Sequence, residues 1–88
     1  MSEDARAKIT GLRDEIDGID DRIVELLNRR ARLALDIRAL KPAANLGLYD
    51  PKREEEIFAR LASANEGPLY ADNLREVYEA VLHVMKEL

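Results

Sequence analysis

The sequence predicts an all-α fold built from one long helix and two short ones. Three observations carry that reading. Apolar residues recur in sevens over the first half of the chain, no run of β-branched residues alternates with polar ones, and the few glycines and prolines (Gly 4, Pro 3) leave long stretches unbroken. With one Phe, three Tyr and no Trp, the core has to be aliphatic.

The first helix is read from its ladder. Ile9, Ile16, Ile23, Arg30 and Ile37 share one heptad position, a, and Leu12, Ile19, Leu26, Leu33 and Leu40 share the other seam position, d. Every seam residue is a branched aliphatic except Arg30. So regular a seam describes a long helix packed along its length against other helices. It should run from about Asp4 to Lys41, where Pro42 ends it by lacking an N–H and clashing with the preceding turn. Gly11 and Gly18 fall at position c, off the seam. The segment PAANLGLYD then reads as a loop.

Asp50-Pro51 opens the second helix, since Asp is a favoured N-cap and Pro suits the first helical position. That helix should extend to about Ala64, and Asn65-Glu66-Gly67-Pro68 should form a turn. The third helix is expected from about Asp72 to the C-terminus, with Leu74, Val77, Tyr78, Val81, Leu82, Met85 and Leu88 on one face.

At 88 residues the expectation is a single domain, 1–88. Lys+Arg 14 against Asp+Glu 18 leaves a net charge of -4, which argues against nucleic acid as a partner. The absence of Cys removes disulfides and thiolate metal sites and fits a reducing compartment. The start, MSEDARAKIT, lacks the apolar core of a signal peptide, and no apolar run approaches the roughly 20 residues that span a bilayer. A cytoplasmic protein is expected, with no membrane partner, metal or cofactor.

Helix length constrains assembly. About 36 residues at 1.5 Å each make a rod of roughly 54 Å, whereas a compact domain of this size has a radius of gyration of about 12 Å. Two short helices cannot cover such a rod, and its bare seam would exceed the apolar patch a soluble monomer tolerates. The long helices should therefore pair between chains, most simply as a two-fold dimer.

Candidate chemistry lies where polar residues fall on faces that should be buried. Arg30 places a permanent charge in the seam, a costly arrangement unless an anion satisfies it. Arg13 and Lys41 flank the seam at position e. In the second helix Ile57, Phe58 and Leu61 define the apolar stripe. Arg53 stands four residues before Ile57 and Glu54 four before Phe58, so both prolong that stripe. Arg13, Arg30, Lys41 and Arg53 with Glu54 compose an anion pocket containing one acceptor, to which the N–H groups opening the second helix would add. Singly, each has a plainer explanation: Arg30 as an ion-pair partner across a helix interface, Arg13 and Lys41 as surface charges. His83, the lone histidine, has no catalytic or ligand-spaced partner and is read as structural. No metal motif, nucleophile elbow or Gly-rich phosphate loop is present.

The stretches LRDEIDGIDDRIVELLNRRARLALDIRALK and LYDPKREEEIFARL resemble the all-helical AroQ-type chorismate mutases, and the similarity runs from about Ala5 to Leu88. It rests on Leu12-Arg13, Ile16-Asp17, Ile19-Asp20, the Arg29-Arg30 pair, Lys41, and Asp50 followed by Arg53-Glu54. The resemblance implies an intertwined homodimer of three-helix chains with shared sites, acting on the dianion chorismate in aromatic amino acid biosynthesis through a Claisen rearrangement to prephenate. By position, Arg13 would reach into the partner's site and bind a carboxylate. Arg30 and Arg53 would hold the substrate's carboxylates, Lys41 would donate to the ether oxygen whose bond breaks, and Asp50 and Glu54 would engage the ring-hydroxyl region. Lys41, Arg30 and Glu54 are the expected catalytic set.

Two departures stand out. Met85 falls where the family has a small or hydroxylated residue, and the sequence ends one residue before the family's Gln or Glu. Either these 88 residues are a piece of a longer fusion protein or the site is incomplete. The alternatives are an isochorismate-pyruvate lyase, which shares the fold and a similar pocket, and a non-catalytic dimerisation or regulatory module of a larger shikimate-pathway enzyme.

Overall fold

A computed structural model describes residues 2–47 and 49–88. Met1 and Leu48, the latter part of the expected loop, lie outside the described residues. Three helices follow in order: α1 Ser2–Leu40, α2 Pro51–Ala64 and α3 Ala71–Lys86. No strand occurs among the described residues. The chain divides into two compact units, residues 1–33 and 34–88.

The first unit is helical from Ser2 onward. Glu3 and Asp4 occupy the first turn, where negative charge complements the helix dipole, and Asp4 pairs with Lys8 one turn on at 3.6 Å. The seam residues Ile9, Leu12, Ile16, Ile19, Ile23, Leu26 and Leu33 are 46% to 58% exposed. The ladder that predicts this helix is thus left without a covering surface inside its own unit.

The second unit holds the end of α1, the loop, α2 and α3. The helix stops at Leu40 rather than Lys41, because a residue preceding proline is pushed out of the α region. Lys41 instead enters a turn: its N–H donates to the Ile37 carbonyl at 3.0 Å, and its carbonyl accepts from Leu46 N–H at 2.9 Å. Asn45 closes the turn at φ 62, a left-handed conformation that Asn tolerates better than most residues.

Asp50 caps α2 as its sequence predicts, accepting the Arg53 N–H through Oδ1 at 3.0 Å, with Pro51 in the first helical position. After Ala64 the turn is tied by Asn65, whose side chain donates to the Leu69 carbonyl at 2.7 Å and accepts from Gly67 N–H at 3.1 Å. Gly67 has φ +82, a conformation that a Cβ would strain. Helix α3 begins at Ala71, one residue early, since Asn73 Oδ1 accepts the Tyr70 N–H at 3.1 Å and secures the first turn from within.

Among the described residues of this unit, Ile57 and Leu82 are buried. Phe58, Leu61, Leu74, Tyr78, Val81 and Met85 are half-buried around them. Val77 and Leu88, expected on the same face of α3, are exposed. At the edge Arg75 binds Glu55 of α2 at 3.3 Å and Glu79 at 3.2 Å while lying 4.1 Å from the Phe58 ring centroid. The hydrogen bond to Glu55 is the largest cause of a raised Arg75 pKa; desolvation opposes it, and the hydrogen bond to Glu79 adds to it. The guanidinium thus serves as a permanent tie between α2 and α3.

Candidate active site

The expected site residues are distributed over both units. Arg13 and Arg30 belong to the first. Arg13 is exposed and Arg30 half-buried. They are 17 positions apart on one helix, about 25 Å at 1.5 Å per residue. That distance is too great for both to grip the same small molecule from one chain.

Lys41, Asp50, Arg53, Glu54 and Met85 belong to the second unit. Lys41 is half-buried on the turn after α1. Asp50 and Arg53 are joined by the cap, so that the backbone opening α2 is fixed by one of the expected carboxylates. The Arg53 side chain departs from the expected inward position: it is exposed and reaches the exposed Glu56 at 3.8 Å. Its i,i+3 neighbour offers a charge partner in solvent, and the inward side of this turn is taken by Glu54 rather than Arg53.

Glu54 does turn inward. Its side chain is 23% exposed, and Oε2 lies 2.7 Å from Nζ of Lys86 in the last turn of α3. Met85, next to Lys86, is half-buried. The Lys86 ammonium also stands 5.0 Å from the centroid of the Tyr49 ring. From the end of α1, Arg38 donates to the Lys86 carbonyl at 2.7 Å and to the carbonyl of Leu88. The start of α2, the end of α1 and Tyr49 therefore meet the end of α3 at Lys86, which in turn holds Glu54.

Lys86, Arg38 and Tyr49 are functional candidates that reading the sequence did not single out. A lysine in a last turn is already explained by the helix dipole, and Arg38 sits at heptad position b, on the side away from the seam. Neither carries a local signal of its partner on another helix.

Elsewhere in the unit a cleft of about 150 Å³ between α2 and α3 is lined by Phe58, Leu61, Ala62, Ala71, Asp72, Leu74 and Arg75, none of them an expected site residue. His83 is exposed, with Nε2 2.9 Å from Glu87. Among the described residues no cluster of three His, Cys, Asp or Glu side chains could hold a metal ion, and no helix is long and apolar enough to cross a membrane.

The sequence model of the family described as chorismate mutase type II matches residues 12–88. A bifunctional chorismate mutase/prephenate dehydratase of Aquifex aeolicus is 41% identical over 83 residues, covering 88% of this chain and 20% of the relative. The chain spans about a fifth of the length of the curated bifunctional relatives it matches first. Among solved structures, a chorismate mutase of Thermus thermophilus superposes with a TM-score of 0.89 at 36% identity, over 92% of each chain. The chorismate mutase of Helicobacter pylori in complex with prephenate superposes with a TM-score of 0.84 at 32% identity, over 92% of this chain and 88% of that one.

Proposed function

Because the chain belongs to the type II chorismate mutase family, we propose that it converts chorismate to prephenate, as a homodimer whose two sites each draw on both chains. The family match over residues 12–88 is the observation that carries this reading, and a relative of the same fold bound to prephenate supports it.

The chemistry suits the residues. The rearrangement is pericyclic: the ether C–O bond breaks as a C–C bond forms, with no nucleophile and no proton to move. Catalysis then depends on holding a compact conformer and placing positive charge where negative charge grows on the ether oxygen. Lys41, held on its turn, is the donor to that oxygen. Arg30 and Arg53 bind the two carboxylates, Asp50 and Glu54 face the ring hydroxyl, and Met85 lines the site. The exposed position of Arg53 in the single chain is that of a side chain available to a ligand.

Arg13 completes the site from the partner. Its separation of about 25 Å from Arg30 supports this division of labour, as does the uncovered ladder of α1, for which the seam of a second copy is the natural cover. We place the reaction in the cytoplasm, in keeping with a chain that carries no cysteine.

Chorismate incubated with the protein is expected to lose its absorbance as prephenate accumulates. Unchanged chorismate would sink the reading, and release of pyruvate from isochorismate would assign the chain to the lyase instead.

A further inference from the structure

We propose that Lys86 is a positioning residue for Glu54, a role that rests on the mutase reading of the site. The ammonium neutralises and orients this half-buried carboxylate, so that a dianionic substrate can approach it and hydrogen-bond to it.

A site built for a dianion has a difficulty with Glu54. A carboxylate beside two more negative charges is repelled by both, and more strongly as water is excluded. Yet an acceptor is wanted there for a neutral hydroxyl. The structure resolves the conflict by pairing. Lys86 Nζ takes Oε2 at 2.7 Å, a closer approach than the Arg75–Glu55 pair at 3.3 Å or the Arg53–Glu56 pair at 3.8 Å. Oε1 remains the oxygen that can accept from substrate. The side chain of Glu54 is only 23% exposed, against 55% for Glu56 and 70% for Glu55. Lys86 itself is 49% exposed, so it is on the carboxylate's side that this pair is screened less than the others.

Lys86 is itself held at both ends. Its carbonyl accepts from Arg38 at 2.7 Å, and its ammonium lies 5.0 Å from the Tyr49 ring centroid, within cation–π range. Each charge also suits its own helix: Glu54 stands in the first turn of α2 and Lys86 in the last turn of α3. An ion pair that satisfies two helix ends and is backed by an aromatic ring has little freedom to turn Glu54 elsewhere. Lys86 itself need not touch the substrate.

The test is a double-mutant cycle in chorismate turnover, with Lys86→Met and Glu54→Gln made singly and together, and with Lys86→Arg as the conservative variant. Lys86→Met keeps the length of the stem and removes the charge. It should raise KM about five- to tenfold with kcat held within about twofold, the scale of one partly screened charged hydrogen bond. In the Glu54→Gln background, where there is no negative charge to neutralise, the same change should alter KM by less than about twofold. Lys86→Arg should restore KM. Equal effects in both backgrounds would mean that Lys86 binds substrate directly, and would overturn the proposal. So would a fall in melting temperature that tracks the loss of activity in both backgrounds, since that is a purely structural role. A wild-type chain that turns chorismate over no better than Lys86→Met overturns this proposal alone. A wild-type chain that leaves chorismate unchanged overturns the mutase reading as well.

Discussion

The backbone N–H of Arg53 donates to Oδ1 of Asp50 at 3.0 Å. One carboxylate thus starts the helix that carries Arg53 and Glu54, and it is also expected to face the substrate's ring hydroxyl. Folding and function coincide in Asp50, and substitutions can separate them.

Asp50→Ala should lose the cap and cost about 1 kcal/mol of stability. Asp50→Asn keeps an oxygen able to accept the Arg53 N–H and should cost much less. Both remove the charge. If Asp50 serves only as a cap, urea midpoint and mutase activity will fall together for Ala and hold together for Asn. The expected result is that Asn retains the midpoint and loses activity.

Arg30 is the one charge in an aliphatic seam. Replacing it with Leu completes the ladder, so Arg30→Leu should abolish activity while leaving the proposed dimer no less stable, because an apolar residue of similar bulk often stabilises a site from which a buried charge is removed. Sedimentation and urea denaturation decide it. A variant that falls apart identifies Arg30 as half of a structural ion pair.

How much of this was legible in the chain differs by residue, for physical reasons. The bounds of α2 were visible because Asp50-Pro51 and Asn65 through Pro68 impose local conformations that need no tertiary partner. The inward turn of Glu54 was visible from its spacing to Phe58. The same reasoning placed Arg53 inward beside Ile57 and did not hold for the single chain, where Arg53 is exposed with Glu56. Helical spacing gives the side of a helix on which a residue lies, not how far along the neighbouring helix covers it. Lys86 was illegible for a related reason: its partner lies on another helix, and a last-turn lysine is unremarkable without that knowledge.

The aliphatic core of the second unit is thin, with Ile57 at 5% and Leu82 at 7% exposure on facing helices. Leu82→Ala should therefore destabilise it by about 2–5 kcal/mol, the loss of transfer energy plus the cavity left behind. The hairpin of α2 and α3 carries Asp50, Glu54 and Met85, so activity at elevated temperature should fail first. A melting curve unchanged from the wild type would show that the core lies elsewhere in the assembled protein.

The seam of α1 makes the last expectation. Ile16 and Ile19 are 53% and 57% exposed in the single chain, as are their heptad neighbours to a similar degree, and a soluble protein rarely leaves so long an apolar stripe in water. If a second copy covers it, a charge placed there has no counter-ion and must be desolvated in the interface. Ile19→Lys should shift the molar mass in light scattering from twice 10.0 kDa toward 10.0 kDa at micromolar concentration. Activity should fall with it, because Arg13 and Arg30 of one chain, about 25 Å apart, cannot serve one substrate. The wild type should likewise lose specific activity on dilution below its dimer dissociation constant. A wild type that scatters as a 10.0 kDa species at every concentration while remaining fully active would remove both the dimer and the two-chain site.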